Sequence, residues 1–331
     1  MKRPVIIVGN GVHIARKEAE VRHFCEQAKV PVLSTWTAGD IVCELPLHIG
    51  HFGIFGDRAS NFVVQNADYL YVIGASLSIP QTGYNLKHFA RGAEIEYADL
   101  DNLKAPEADE SWNERCLEWR DKYGIDTEKR EVKSGYVNSF EFIRTFSDSL
   151  PNDAIVVTDM GTSFTCTFQA AKMKYGQRWL TASGFAPMGY GLPGAIGAHY
   201  ATGKLVWCLV GDGALQFNVQ ELQSIRGLPI NVIVFENGGY LTLKHTQSNH
   251  FGHYVGSKFD FPDIMGVAKA FGVEEQVIVI RMDPMQALTP RTASVKLPDG
   301  TVTSRPLEDM YPFLPRPEFK AQMIVPPLEE I

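Results

Sequence analysis

The chain has 331 residues, a length typical of about two domains. Its 45% hydrophobic and 21% charged residues fit an ordinary globular protein. The net charge of -7 and the lack of a basic run argue against nucleic-acid binding. No apolar segment is long enough to span a membrane, and the run after Lys2-Arg3 ends at Gly9, so we interpret it as a first strand rather than a signal peptide.

Short apolar segments alternate with helical patterns in the first half of the chain. This order predicts a parallel sheet that is covered on both faces by helices. The predicted strands are residues 5–8, 30–33, 69–73 and 94–98, and the predicted helices are residues 15–28 and 58–66.

The segment 106–136 differs in character, because it is dense in charge and has no apolar run. We interpret it as a solvated helix followed by a linker. The predicted domains are therefore 1–125 and 126–331, and the proline-rich, acidic tail from residue 306 is expected to lie over the surface of the second domain.

The second half begins a new series of strands and helices. A segment rich in Gly and Ala at 187–200 predicts a helix that packs very closely against its neighbours. The predicted fold class is therefore α/β with two parallel-sheet domains. The further predicted strands are 154–157, 205–210, 230–235 and 277–280, and the further predicted helices are 139–150 and 261–271.

The cysteines are scattered along the chain, are odd in number and form no CxxC pair. We interpret them as buried free thiols in a reducing compartment and predict a cytoplasmic protein. The five residues are Cys25, Cys43, Cys116, Cys166 and Cys208.

Polar residues follow two of the apolar strands of the second half. Asp212 lies between two glycines after strand 205–210, and Asn237 precedes two glycines after strand 230–235. Ligands bind at the carboxyl ends of parallel strands, where a carboxylate and an amide oxygen suit Mg²⁺ and glycines admit a phosphate. The helix predicted after Asp212 would add free N–H groups. Plain tight turns are the alternative, but the joint setting after two strands favours a site for a metal and a diphosphate.

Several motifs resemble the thiamine-diphosphate-dependent enzymes, in their acetolactate synthase-like branch. Gly211-Asp212-Gly213 followed by Asn237 resembles the cofactor-binding motif of that family. The segments 188–197 and 216–222 resemble further parts of its C-terminal domain, and 53–58 and 61–68 resemble its central domain. The resemblance covers nearly the whole chain and implies a Rossmann-like central domain followed by a thiamine-diphosphate-binding fold.

The resemblance implies a role for each matching position. Asp212, Asn237 and the carbonyl of Gly239 would be the Mg²⁺ ligands. Met188 would be the catalytic wedge beneath the cofactor, which brings the base of the pyrimidine near the reacting carbon. Without its flanking motif, Met188 would be interpreted as a core residue. The cofactor-binding residues implied are Gly161, Thr162, Ser163, Ala186, Met188, Gly211, Asp212, Gly213, Ala214, Asn237, Gly239 and Tyr240.

The chemistry that the resemblance implies is decarboxylation of a 2-oxo acid and transfer of the product to an acceptor. Family members carry a pyrimidine-binding domain before the central domain, and its Glu activates the cofactor. Because this sequence starts at the central domain, we expect a partner chain to supply that domain, unless the sequence is a truncated product or a fragment. The resemblance also implies a homo-oligomer, because family relatives build the cofactor site across a dimer interface. A non-catalytic subunit that binds the cofactor or regulates a partner is the alternative.

Weaker patterns suggest other ligands. Gly9 and Gly11 resemble part of a dinucleotide fingerprint, but Ile14 stands where a further Gly is needed, so an NAD-dependent oxidoreductase is a third and weaker hypothesis. The resemblance allows FAD in the central domain, although FAD is not expected here. The histidines of 48–51 and of the predicted loop 244–253 could bind zinc, but their spacing favours solvated or hydrogen-bonded side chains.

Overall fold

The computed structural model describes residues 2–296 and 300–328, and the chain forms two compact units. Unit 1 comprises Met1–Lys129 and Thr289–Ile331, and unit 2 comprises Arg130–Leu288. The predicted assignment of all of 126–331 to one domain therefore differs from the structure. The C-terminal segment belongs to unit 1 because Leu307 and Phe319 are buried in the hydrophobic core of that unit.

Unit 1 is built on a five-stranded parallel sheet with the order β3-β2-β1-β4-β5. Alternate residues of β1 point to opposite faces, so Ile7 joins one buried cluster and Ile6 joins another. Both faces are covered at the three inner strands, as their apolar sequences predict, whereas the edge strand Glu94–Tyr97 is exposed. The strands are β1 (Pro4–Val8), β2 (Val32–Ser34), β3 (His48–His51), β4 (Tyr69–Ile73) and β5 (Glu94–Tyr97).

The helices of unit 1 include one whose burial was not predicted. The charged segment forms α6, but Trp112 and Trp119 are 3% and 1% exposed and pack edge to face. The prediction of a solvated helix is wrong, because an apolar stripe at helical spacing lies among the charges. The helices are α1 (Gly11–Ala15), α2 (Glu18–Ala28), α3 (Gly39–Val42), α4 (Arg58–Asn66), α5 (Ile79–Thr82) and α6 (Glu110–Tyr123).

The C-terminal segment packs into unit 1 instead of lying over the surface of the second domain. Glu308 is fully buried and pairs with Arg91 at 2.8 Å. Trp119 Nε1 donates to Gln322 Oε1 at 2.9 Å, which ties the last helix to α6. The elements are β11 (Arg291–Thr292), β12 (Ser294–Lys296), β13 (Val302–Ser304), β14 (Met310–Tyr311) and α13 (Arg316–Gln322).

The glycines after β1 pack against the turn after β4. A Cβ atom on Gly9 would lie 2.4 Å from the carbonyl oxygen of Gly74, and one on Gly11 would lie 2.8 Å from the same atom. This close packing of backbone on backbone accounts for both glycines within the fold.

Unit 2 is built on a second five-stranded parallel sheet, with the order β10-β9-β8-β6-β7. One face packs on a buried cluster that includes Val157 and Cys208. On the other face, Phe146 stacks edge to face on Trp207 and Phe142 on Phe235. The strands are β6 (Ile155–Thr158), β7 (Arg178–Thr181), β8 (Val206–Gly211), β9 (Ile230–Glu236) and β10 (Val277–Arg281).

Three helices of unit 2 lie near their predicted segments 139–150, 187–200 and 261–271, whereas the helix Thr162–Ala170 was not predicted and the segment 244–250 is helical rather than a loop. The helix expected after β8 is one short turn, α10, followed by a 3₁₀ segment, Gln216–Leu222. The helices are α7 (Ser139–Ser149), α8 (Thr162–Ala170), α9 (Gly191–Thr202), α10 (Asp212–Leu215), α11 (Leu241–Phe251) and α12 (Ile264–Phe271).

The cysteines of both units are free and buried, as predicted. Burial raises the pKa of the Cys25, Cys43 and Cys166 thiols to about 12. Among the described residues, no helix combines the length and the apolar character needed to cross a membrane.

Two histidines of β3 share one hydroxyl group. His48 Nε2 and His51 Nδ1 each lie 3.0 Å from Ser34 Oγ. Burial lowers the pKa of His48 to about 3 and that of His51 to about 4. The histidines are therefore hydrogen-bonded and neutral near neutral pH.

This arrangement predicts a loss of stability in mild acid. A histidine of the unfolded chain is protonated below its pKa of about 6.5, whereas His48 and His51 of the folded protein stay neutral there because their pKa values are lower. We expect the free energy of unfolding to fall by about 1 kcal/mol per histidine as the pH drops from about 7 to about 5.5. Urea denaturation across this range should show a shallower pH dependence for the double variant His48→Gln/His51→Asn. Equal slopes for variant and wild type would contradict this prediction.

Candidate functional site

Three predicted site residues of unit 2 follow strands at the carboxyl edge of its sheet. From β6 the chain passes to β7 on one side, whereas β8 lies on the other side of β6. The strand order therefore reverses between β6 and β8, and such switch points form ligand crevices at the carboxyl ends of strands. Gly161 follows β6, Asp212 follows β8 and Asn237 follows β9.

The carboxylate of Asp212 organises the turn after β9. Its Oδ2 accepts from the N–H groups of Asn237 at 2.9 Å and Gly238 at 2.7 Å, with Gly239 at 3.4 Å. Its Oδ1 accepts from Gly213 N–H at 2.7 Å. Asp212 is 1% exposed, and burial raises the pKa of its carboxyl group, although these N–H groups oppose the shift. The fold therefore brings the predicted Mg²⁺ ligands close together, because backbone N–H groups of the turn donate to the carboxylate of Asp212.

The side chain of Asn237 holds an oxygen atom without a hydrogen-bond partner. Asn237 is 4% exposed, and its Nδ2 donates to Thr162 Oγ1 at 3.2 Å. Its Oδ1 is buried and has no hydrogen-bond partner within the part of the chain that the structure describes. Leaving such an acceptor unsatisfied costs about 1–3 kcal/mol. This oxygen is therefore suited to be a ligand of a cation.

Gly239, directly before Tyr240, and Gly213, directly after Asp212, are required by close contacts. Gly239 has φ +132, and a Cβ atom there would lie 2.2 Å from the carbonyl oxygen of Ser257. A Cβ atom on Gly213 would lie 2.4 Å from the ring of Tyr240. The ring of Tyr240 therefore packs directly on the turn after β8.

The start of α8 borders open space. Gly161 has φ +86, and a Cβ atom there would meet no atom of the described residues within 4 Å. The same is true at Gly211, the last residue of β8. Thr162 and Ser163 lie in the first turn of α8, where a helix leaves N–H groups without intrahelical partners. The hydroxyl of Ser163 bonds backbone oxygens at 3.3 Å, so its N–H is the group suited to a phosphate.

Met188 and Ala186 lie on the segment between β7 and α9. Met188 is half-buried and packs against the core cluster of unit 2. Ala186 is exposed and has φ +53, a backbone conformation that residues other than Gly rarely adopt. Ala214 is 2% exposed in α10, directly after the glycines of the turn.

Two buried charged residues at this edge were not predicted as site residues. Asp159 is fully buried and accepts from Gly189 and Gly191 N–H groups at 3.1 and 2.6 Å. Lys244 is 2% exposed, and its Nζ donates to the carbonyl oxygen of Gly238 at 3.0 Å. Burial raises the pKa of Asp159 and lowers that of Lys244. The position of Asp159 at a strand end was the available signal, whereas nothing in the sequence marks Lys244 as buried.

The histidines, for which zinc was the less favoured interpretation, do not form a metal cluster in the described ranges. No three His, Cys, Asp or Glu side chains of residues 2–296 and 300–328 come together in a way that could hold a metal ion. His245 instead lies 2.9 Å from the carbonyl oxygen of Gln286 through Nε2. The site at Asp212 is of another type, because it would use one carboxylate, one amide and one carbonyl oxygen.

Fold and site together define a two-unit α/β protein in which Asp212 and Asn237 meet at the switch point of the second sheet. The family model of the thiamine pyrophosphate enzyme, central domain, matches residues 1–107, and that of the thiamine pyrophosphate enzyme, C-terminal TPP binding domain, matches residues 159–296. The chain therefore belongs to the thiamine pyrophosphate enzyme family, on its acetolactate synthase-like branch, as the motifs predict.

Curated relatives are similar over nearly the whole chain. The acetolactate synthase isozyme 2 large subunit of Escherichia coli (strain K12) is 27% identical over 98% of this chain. The acetolactate synthase large subunit of Porphyra purpurea is 28% identical over 97% of it. The isozyme 1 large subunit of E. coli is 29% identical over 87%. The chain spans 64%, 60% and 56% of the lengths of these three relatives, respectively.

Proposed function

We propose that this chain binds thiamine diphosphate through Mg²⁺ and takes part in decarboxylation of a 2-oxo acid with transfer of the product to an acceptor. The observation that carries this proposal is the buried Oδ1 of Asn237, which has no hydrogen-bond partner among the described residues and lies next to the carboxylate of Asp212. A hard cation prefers oxygen ligands of these kinds. Family membership supports the choice of cofactor, and the names of the relatives support the class of reaction.

Each residue of the site has a proposed task. Asp212, Asn237 and the carbonyl oxygen of Gly239 would hold the cation. The N–H groups at Gly161, Thr162 and Ser163, and those at Gly213 and Ala214, would bind the diphosphate in the open space beside Gly161 and Gly211. When bound, thiamine diphosphate supplies a carbon nucleophile and accepts the electrons that carbon dioxide leaves behind.

We assign the pyrimidine end of the cofactor to the segment between β7 and α9. Met188 would support the folded cofactor, and the carbonyl of Ala186 would bind its amino group. The positive φ of Ala186 supports this role, because strained backbone persists where the surroundings hold a group in place. We propose that a pyrimidine-binding domain of the kind found in this family completes the site. The five buried thiols support a reducing compartment, and we propose the cytoplasm.

Calorimetric titration of the folded protein with thiamine diphosphate tests this proposal. We expect saturable binding in the presence of Mg²⁺ and none in the presence of a chelator, because the diphosphate needs the cation as a bridge to Asp212. Release of carbon dioxide from a panel of 2-oxo acids should then be assayed with the loaded protein. Binding without turnover would favour a cofactor-binding subunit, and no binding with Mg²⁺ present would overturn the proposal.

A further inference from the structure

The segment that carries Met188 is held from both sides by polar side chains. The N–H of Gly189 donates to Asp159 Oδ1 at 3.1 Å, and the N–H of Gly191 donates to Asp159 Oδ2 at 2.6 Å. On the opposite side, Asn218 Nδ2 donates to the carbonyl oxygen of Gly189 at 2.8 Å. Both polar groups of Gly189 are therefore bound by side chains, directly after Met188.

The backbone after β8 departs from helical geometry at Asn218. Its φ of -138 and ψ of 39 interrupt the segment Gln216–Leu222. The residue it contacts is also special, because Gly189 has φ +90 and a Cβ atom there would lie 2.7 Å from Phe217 Cβ. A break in one segment and a required glycine in the other allow the contact between Asn218 and Gly189.

The carboxylate of Asp159 joins two parts of the site. Besides Gly189 and Gly191, it accepts from Met160 N–H at 2.7 Å, just before the diphosphate loop at Gly161. Because Asp159 is fully buried and receives three N–H groups, its position is well defined. The hydrogen bonds that join Asn218 to Gly189 and to Gln220 do not involve Asp212 or Asn237.

We propose that Asp159 and Asn218 are positioning residues that hold the Met188 segment as a support for the aromatic part of thiamine diphosphate, separately from the metal-diphosphate anchor at Asp212 and Asn237. This inference rests on the proposed function, in which Met188 lies beneath the cofactor. Inorganic pyrophosphate has no aromatic part, so it would need only the anchor. Comparing the affinities for the two ligands therefore distinguishes an effect on the Met188 segment from an effect on the anchor.

The test compares binding of thiamine diphosphate and of inorganic pyrophosphate, each with Mg²⁺, to wild type and Asn218→Ala by calorimetry. We expect the variant to lose about tenfold in affinity for thiamine diphosphate, as one lost hydrogen bond permits, and to change less than about twofold for pyrophosphate. Asn218→Leu, which keeps the size of the side chain, should behave in the same way. Gln220→Ala is the matched control, because Gln220 is exposed and contacts Asn218 but not Gly189.

The outcomes distinguish this inference from the proposed function. Equal losses for both ligands would indicate a purely structural role for Asn218 and overturn the inference, as would unchanged affinity for both. Wild type that binds pyrophosphate but not thiamine diphosphate would overturn the support at Met188 and leave the anchor standing. Wild type that binds neither ligand would overturn the proposed function and this inference with it. Asp159→Asn is expected to weaken binding of both ligands, because Asp159 also accepts from Met160 N–H directly before Gly161, but to weaken thiamine diphosphate more than pyrophosphate. Equal losses for the two ligands would overturn its part in the support.

Discussion

Replacing Asn237 by alanine is expected to abolish most cofactor binding while leaving the stability of the unliganded protein nearly unchanged. The substitution removes a buried oxygen that has no hydrogen-bond partner within the described residues, together with a single 3.2 Å contact to Thr162. The two effects oppose each other, so the free energy of unfolding should stay within about 1 kcal/mol of wild type. Affinity for thiamine diphosphate with Mg²⁺ should fall at least about 100-fold, or about 2.7 kcal/mol, because a cation ligand is lost.

Asn138 offers a matched control in the same unit. Its Oδ1 accepts from Phe140 N–H at 3.0 Å and from Gln286 Nε2 at 3.0 Å, at the start of α7. Asn138→Ala should therefore cost about 1–2 kcal/mol of stability, as the loss of a helix cap does, and leave the cofactor affinity unchanged. Urea denaturation and calorimetric titration of both variants measure the two quantities. An Asn237→Ala protein that binds the cofactor like wild type would exclude this residue as a ligand.

Replacing Glu308 by alanine is expected to have the largest effect on stability. The Arg91 and Glu308 side chains are 6% and 0% exposed, and Gln65 Nε2 also donates to Glu308 Oε2 at 2.5 Å. Removing one partner leaves the other charge buried and unpaired, which costs about 3–5 kcal/mol. Because Glu308 lies on the C-terminal segment, the loss should also loosen the packing of that segment on unit 1.

Glu118→Ala is the matched control for this prediction. Glu118 pairs with Arg115 on α6 of the same unit, but the two side chains are 65% and 36% exposed. Such an exposed pair contributes about 0–1 kcal/mol, so its loss should hardly move the urea midpoint. Similar small shifts for both variants would show that the C-terminal segment contributes little to the stability of unit 1.

The inner strands of both sheets could be predicted closely from the sequence because they are buried on both faces. Such strands appear as continuous apolar runs, and β4 and β8 lie within about one residue of their predicted bounds. The edge strands β3 and β7, in contrast, were not predicted. Helix α6 was predicted to be solvated because that prediction depended on its high charge and not on the apolar residues that face the core. Its buried residues, Trp112, Cys116 and Trp119, lie at the helical spacing that indicates an amphipathic helix.

The candidate site was predictable in part. Asp212 and Asn237 stand out because each follows a strong apolar strand, and strand ends in a parallel sheet meet at one edge. Their mutual contacts do not follow from the sequence, since Asp212 binds backbone N–H groups that are 25 to 27 residues away in the chain. The roles of Asp159 and Asn218 depend in the same way on the backbone of the segment that carries Met188.

By itself, the sequence determined the family, the α/β class and the residues that could bind a cation and a diphosphate. These features depend on residue type and local order along the chain. Only the tertiary structure decided that the C-terminal segment belongs to unit 1, that Lys244 is buried and that Asn237 Oδ1 lacks a hydrogen-bond partner in the described chain. Burial and hydrogen bonding at these positions depend on segments far apart in sequence, and such contacts exist only once the chain has folded.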